Sequence, residues 1–364
     1  MRDGRAMTDV KQSAQERYRW VAVPLLAFAA SRALLYLFAL VGPLFGPAMG
    51  ADGGGALKAH PAWAALAHGE IADFARIARQ GYLTAADATY FPLLSLWGRL
   101  AGKLVGSIEA VLLLTSLVFG ALGFLAAYRV FERLRGAEAA RAGVALLAAF
   151  PFAYHLGDGG ASAALLAFSA WGLLLALEGR SLACVAVFSV GVLAHPLCIF
   201  ATVAAPSLVS REQERADARA RPVWFAPAAV LAPALVLVVW ILFLRGHLPA
   251  GTPWSAFAGG ADSLRPEAKA LLVALGALLA MGGLLMARWR GLRLLALAGG
   301  LRLGSVALAS SPLALHTLAA VWPLFLGWGD FLGKRPSLRT PAIALCAAHQ
   351  GLLFYCFTHF LRFT

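Results

Sequence analysis

The sequence predicts an all-α, polytopic membrane protein of about ten or eleven membrane-embedded helices with a large first outer loop. Three observations predict it. Of 364 residues, 60% are hydrophobic and 13% are charged, against about 25% charged in soluble globular chains. Apolar runs recur along the chain, many of them near the roughly 20 residues that cross a bilayer. The basic residues behind a net charge of +13 gather in short segments between those runs, which is the pattern of cytoplasmic loops. In a soluble chain a pI near 10.3 would raise nucleic acid as a partner. Between apolar runs the same charges suit anionic lipid headgroups instead, so membrane lipids are expected partners and nucleic acid is not.

Residues 1–19, with Arg2, Arg5, Lys11, Arg17 and Arg19, read as a cytoplasmic N-terminal segment. Residues 20–360 read as a single transmembrane domain. Trp20–Phe45 is its first span, a signal anchor long enough to cross. Residues 46–106 form the outer loop. It opens on Gly53-Gly54-Gly55 and holds two moderately apolar helices, around 61–80 and 91–105, expected to lie along the membrane surface. Ile108–Tyr128 spans next, and Arg129, Arg133, Arg135 and Arg141 follow on the inner side. Asp158-Gly159-Gly160 then splits an apolar stretch into spans at about 140–156 and 160–177.

Ser181–Ser210 is too long for one span and carries His195-Pro196 at its centre, where proline breaks a helix. Two short helices hinged there would place the loop Arg211–Arg221, with four arginines, on the inside. The positive-inside rule favours that reading, and broken helices mark binding sites in membrane proteins. Val223–Phe243, Ala268–Ala287, Leu294–Ser310, Leu313–Gly329 and Pro341–Phe360 complete the spans, with the N-terminus inside and the C-terminus outside. Lys58, Arg76, Arg79, Arg99 and Lys103 are left outside, which a long loop tolerates. Cys184, Cys198, Cys346 and Cys356 lie in apolar runs without metal-ligand spacing, so they read as packing residues with no disulfide framework and no metal site.

This topology sorts the unusual polar residues to one face. His68, Glu70 and Asp73 fall in the outer loop, His155 and Asp158 at an outer turn, His195 at the hinge, Asp262 in loop 246–266, and His316 near an outer helix end. Carboxylates and imidazoles gathered at a membrane boundary are what general acid–base chemistry needs. Such residues also occur at helix ends for purely structural reasons. Arg32 and Arg302 lie within apolar runs, where a cation is expensive and is paired or functional. Glu70 and Asp73, three apart on a helix, share a face.

Phe74, Ile77-Ala78, Gly81-Tyr82 and Tyr90-Phe91-Pro92-Leu93 keep the register of a motif in the first outer loop of the PIG-V-type mannosyltransferases, which this stretch resembles. These are membrane glycosyltransferases of the GT-C class. Phe150-Pro151, Ala194-His195-Pro196, Gly251-Thr252-Pro253-Trp254-Ser255-Ala256-Phe257, and His316 with Trp322-Pro323-Leu324-Phe325 fall in order where that family has related segments. The resemblance runs collinearly over about residues 20–330. The departures are Glu70 after Gly69 where the family has Asp after Trp, Ser162 where it has Glu, and His195 and His316 where it has arginines. Arginine to histidine removes a permanent bidentate phosphate partner and leaves a group charged only in part at neutral pH.

The resemblance implies a GT-C-like bundle that transfers a sugar from a polyprenyl-phosphate donor to a lipid or glycan acceptor at the extracytoplasmic face. It implies no cofactor and no catalytic metal. Glu70 is then the expected base, with Asp73 second. His195, His316, Arg302, His155, Asp158 and Arg32 are expected near the substrate and its phosphate, and Gly81, Tyr82, Phe91 and Pro92 shape the loop. The Ala-, Gly- and Arg-rich usage suggests a bacterial inner membrane. The alternatives are a catalytically degenerate homologue with a binding or assembly role, and a transporter, which an internal repeat would mark.

Overall fold

A computed structural model describes residues 3–41, 44, 70–216, 222, 224–247, 320 and 322–358. These form α1 (Asp3–Val41), α2 (Glu70–Gln80), α3 (Pro92–Val105), α4 (Ile108–Arg135), α5 (Ala137–Ala149), α6 (Ser162–Leu177), α7 (Ser181–Ala194), α8 (Cys198–Ala216), α9 (Phe225–His247), α10 (Pro323–Gly333) and α11 (Pro336–Thr358). Short 3-10 turns occupy Ala85–Thr89 and Ala153–Leu156. No strand occurs among the described residues, and the all-α class holds. Tyr18–Val41, Ile108–Arg135 and Phe225–His247 are each long and apolar enough to cross a membrane; Ser162–Leu177 and Ser181–Ala194 are shorter apolar helices. The chain is an integral membrane protein. The expected spans 268–287 and 294–310, and residues 313–319 and 321 of the span 313–329, lie outside the described residues.

Where boundaries differ from expectation, local chemistry explains the shift. α1 is helical from Asp3, not from Trp20, because residues 3–19 hold no proline and are mostly good helix formers. α4 continues past Tyr128 to Arg135 and stops where Gly136 takes φ +85°, a positive φ that glycine adopts without the steric cost of a Cβ. The next span is cut short at Ala149. Phe150 precedes Pro151, and a residue before proline is pushed out of the helical region; Phe150 is extended at φ −60°, ψ 138°. The expected span 140–156 is therefore a helix followed by the 3-10 turn. In the long run 181–210, α7 ends at Ala194, His195 is extended at φ −158°, and α8 starts at Cys198. That is the two-helix reading hinged at His195-Pro196.

Contacts between elements separate the bundle into two ends. At one, Arg133 meets Glu178 at 3.6 Å, Arg339 meets Glu138 at 3.4 Å, and the Arg129 guanidinium lies 4.7 Å from the Trp20 ring centroid. At the other, α2, the 3-10 turn 153–156 and the C-terminal half of α1 come together, and Tyr154 packs on Phe354 of α11 at 5.8 Å. Exposed ion pairs of this kind contribute little stability, but they fix which helix ends are neighbours. The free thiols Cys184 and Cys198 are buried and Cys346 is half-buried, as packing residues.

The helices approach closely through small residues, the usual means where lipid removes a hydrophobic drive between helices. α4 crosses α1 at Gly120, where a Cβ would lie 2.6 Å from Phe28 Cε2, and α6 at Gly123, 2.6 Å from Leu166 Cγ. α10 lies against α5 through Gly329, whose Cβ would strike the Ala139 carbonyl and stand 2.8 Å from Gly143 Cα. Gly329→Val should therefore force α5 and α10 apart and destabilise the protein by about 1–3 kcal/mol, the usual cost of overpacking. Gly246→Ala, with nothing within 4 Å, should leave the melting temperature in detergent unchanged. Equal melting of Gly329→Val and wild type would show that this contact does not hold the helices.

Candidate active site

α2 carries the first part of the site. In EIADFARIARQ the apolar side chains Ile71, Phe74, Ala75, Ile77 and Ala78 are buried, while Asp73, Arg76 and Arg79 lie toward the other face. Gly81, at φ +83°, ends the helix, its N–H donating to the Ile77 carbonyl at 2.8 Å. The chain then folds back over itself. Asp87, fully buried, accepts the N–H groups of Leu83 and Thr84 at 2.8 Å each and pairs with Arg76 at 2.6 Å. Tyr82 donates its hydroxyl to the Tyr90 carbonyl at 2.9 Å and packs its ring on Trp240 of α9 at 5.1 Å. Phe91 caps α3 with Pro92 at its first position, where the missing N–H costs nothing.

Glu70 and Asp73 lie within one turn of each other on α2 but stand in different surroundings. Asp73 is partly exposed; it accepts from Arg76 at 3.2 Å and from the Tyr90 hydroxyl at 2.7 Å. Burial, then the Asp73 charge, pushes the Tyr90 phenol up. Glu70 is only 7% exposed, and its Oε2 accepts the Ala161 N–H at 2.9 Å. Burial above all, with the Asp158 charge next, raises its carboxyl to about 8, against the pull of the Ala161 hydrogen bond.

The turn 150–161 supplies the second part. Asp158 Oδ1 accepts the Gly160 N–H at 2.9 Å, and its Oδ2 lies 2.6 Å from His155 Nδ1. Burial, then the Arg32 charge, holds His155 well below its usual value, so the neutral ring meets this contact by carrying its proton on Nδ1. A Cβ on Gly160 would collide with Glu70 Oε2 and stand 3.1 Å from Asp158 Oδ1. The two carboxyls thus flank one glycine, and that glycine is what lets them approach.

Arg32 forms the third part. It is 6% exposed and donates to the carbonyls of Tyr154 (3.1 Å) and Ala153 (2.7 Å) and to the Ser31 hydroxyl (3.1 Å). Those bonds hold the turn that carries His155 and Asp158.

The structure brings Arg32, Glu70, Asp73, His155 and Asp158 to one end of the bundle. His195 stands at the α7–α8 hinge, where the Leu197 N–H donates to its Nδ1 at 3.2 Å. Ser162 opens α6, fully buried. Arg302, His316, His68 and Asp262 lie outside the described residues. No group of His, Cys, Asp and Glu suited to a metal ion occurs among the described residues. Sequence reasoning passed over Gly160, Tyr90 and Asp87 as site residues. The glycine pair after Asp158 was a signal for close approach, but nothing in the sequence says that Glu70 is what approaches.

No known family profile matches the chain, and no curated protein matches it. Among solved structures, the oligosaccharyltransferase of Archaeoglobus fulgidus is similar at 12% identity and a TM-score of 0.41, over 90% of this chain and 53% of that one. The chain spans about half the length of that protein, and a superposition this loose carries neither fold nor activity across.

Because Glu70 holds a proton more readily folded than unfolded, the folded state is favoured below its unfolded value of 4.5, and that advantage is lost as pH rises through about 8. Thermal stability in detergent should fall over that window. Glu70→Gln, uncharged and still able to accept the Ala161 N–H, should flatten the decline. An unchanged slope in the variant would remove Glu70 as its source.

Proposed function

We propose that this chain is an integral membrane glycosyltransferase of the GT-C class. It transfers a sugar, mannose by the resemblance to the PIG-V-type family, from a polyprenyl-phosphate donor to a lipid or glycan acceptor. The observation that carries the reading is the Glu70 carboxyl, buried at the helix–turn junction and raised to about 8. A group that exchanges its proton near neutral pH suits general base catalysis. The collinear motifs from Phe74 to Phe325 support the choice of reaction.

In this mechanism an acceptor hydroxyl attacks the anomeric carbon and passes its proton to Glu70. The bond from that carbon to the phosphate oxygen breaks, and polyprenyl phosphate leaves with the electron pair. Asp73, oriented by Tyr90 and Arg76, is the second carboxylate. His195, Arg302 and His316 are the candidates for the phosphate, by charge or hydrogen bond. Arg32 and Asp158 hold the turn and the field around Glu70, and His155 keeps Asp158 in place. The positive-inside rule puts the end with Arg133 and Arg339 in the cytoplasm and this site at the extracytoplasmic face.

The same burial favours a second reading, a homologue without catalysis in which Glu70 only caps Ala161. Reconstituted protein given polyprenyl-phosphate mannose, or its glucose and arabinose analogues, distinguishes the two. Release of polyprenyl phosphate is expected, with an acidic limb that rises toward about pH 8. Glu70→Gln should reduce it by roughly 100-fold or more at unchanged folding. Well-folded protein that releases nothing from any donor would establish the second reading.

A further inference from the structure

Away from the Glu70 cluster, a hollow of about 460 Å³ opens between the last turn of α2, the α3 helix and the first turn of α4. Its size falls in the roughly 300–1,000 Å³ range of ligand sites. Its lining includes Arg79, Arg99, Lys103, Ser107 and Glu109. Three cations against one carboxylate leave an excess of positive charge. Glu109 is buried and takes Arg79 as its ion-pair partner. Arg99 and Lys103 form no ion pair among the described residues and are exposed.

α3 divides into three stripes. Leu94, Ser95, Gly98 and Gly102 are buried, with Gly102 so close to α4 that a Cβ there would lie 2.6 Å from Ile108 Cγ1. Leu96, Trp97, Leu100 and Leu104 are exposed at 55%, 48%, 55% and 89%. Arg99 and Lys103, four apart, form the ridge between these faces. An exposed apolar stripe beside a cationic ridge is the pattern of a helix seated in the headgroup region.

We propose that this hollow binds the phosphate headgroup of an anionic membrane phospholipid, with Arg99 and Lys103 on the phosphate and Leu96, Leu100 and Leu104 against the acyl region. Charge complementarity selects the occupant: the excess cations sit at the rim of an exposed apolar stripe, and an anionic phospholipid matches the charge with its headgroup and the stripe with its acyl chains. The inference rests on the membrane location of the chain and not on the glycosyltransferase reading.

The test is titration of the detergent-solubilised full chain with fluorescent phosphatidylglycerol, with phosphatidylcholine and inorganic phosphate as competitors. At about 1 kcal/mol per cation near an anionic surface, Arg99→Gln with Lys103→Gln should weaken the tightest site about thirty-fold. Both side chains are exposed, and an unchanged melting temperature confirms that the variant folds. Lys334→Gln with Arg335→Gln removes two charges at the opposite end and should leave affinity within about two-fold, since exposed charges far from a site contribute little. Equal loss in both variants, or in neither, would overturn the proposal. So would displacement by inorganic phosphate or phosphatidylcholine at the same concentration as the labelled lipid.

Discussion

The break between α5 and α6 sets the terms for the rest of this end of the molecule. Between Ala149 and Ser162 the chain leaves the α-helix, and backbone groups there cannot all rely on intrahelical partners. Near a bilayer each unsatisfied group costs several kcal/mol. Backbone bonds within the turn meet some of this need, such as Ala153 N–H to the Phe150 carbonyl and His155 N–H to the Phe152 carbonyl, and side chains meet more of it. Ser31 and Gln350 donate to the Ala148 carbonyl at 2.6 and 3.1 Å, Arg32 to Ala153 and Tyr154, while Asp158 and Glu70 accept the N–H groups of Gly160 and Ala161. α1, α2 and α11 are thereby tied to one irregular turn. The cation Arg32, expensive in an apolar run, is held there by the Ala153 and Tyr154 carbonyls of this turn.

Meeting backbone needs with charged side chains creates a second requirement, for charge balance in a place with little water. Arg32, Glu70, His155 and Asp158 are each under 10% exposed. A buried charge without a partner is strongly unfavourable. A proton on Glu70 and a neutral His155 reduce the cluster to Arg32 and Asp158, one opposite pair. The raised Glu70 and the depressed His155 are the two adjustments that permit it. A carboxyl displaced in this direction is reactive as a proton acceptor in a way that an exposed carboxylate is not. Reactivity here grows out of the structural demand.

The fold was readable wherever a local rule operates. Proline at 196 and glycine at 136 end helices by their own covalent chemistry, and the apolar runs around 18–41, 108–135 and 225–247 announce themselves by length. The helix ends were less readable. Arg129–Arg135 look like a loop in a hydropathy pattern, yet they continue α4 because nothing in them breaks a helix before Gly136. Phe150-Pro151 was visible as a motif and was also the stop signal for α5. At the site, the gathering of polar residues to one end followed from topology alone, and Glu70 and Asp158 came from that argument. Their juxtaposition across Gly160 joins residues 88 positions apart, and single-sequence patterns hold no information on such pairs. Arg32 was legible as an anomaly and not as the cap of a turn more than a hundred residues away.

α2 joins the two chemical features of this end. Glu70 stands in its first turn, within the buried cluster, and Arg79 in its last, at the rim of the cationic hollow. Nine residues of α-helix separate them, about 14 Å along the axis. The apolar face of α2, with Ile71 and Phe74 almost fully buried, fixes both ends in the core, so that spacing is rigid. A phosphate held at Arg99 and Lys103 is therefore out of reach of a proton transfer at Glu70, which needs contact within hydrogen-bond distance. The hollow is accordingly an anchor for the lipid surface and not part of the reaction centre. An anchored α3 would hold α2, and with it Glu70, at a fixed depth relative to the membrane plane, where a lipid-linked substrate must present its headgroup.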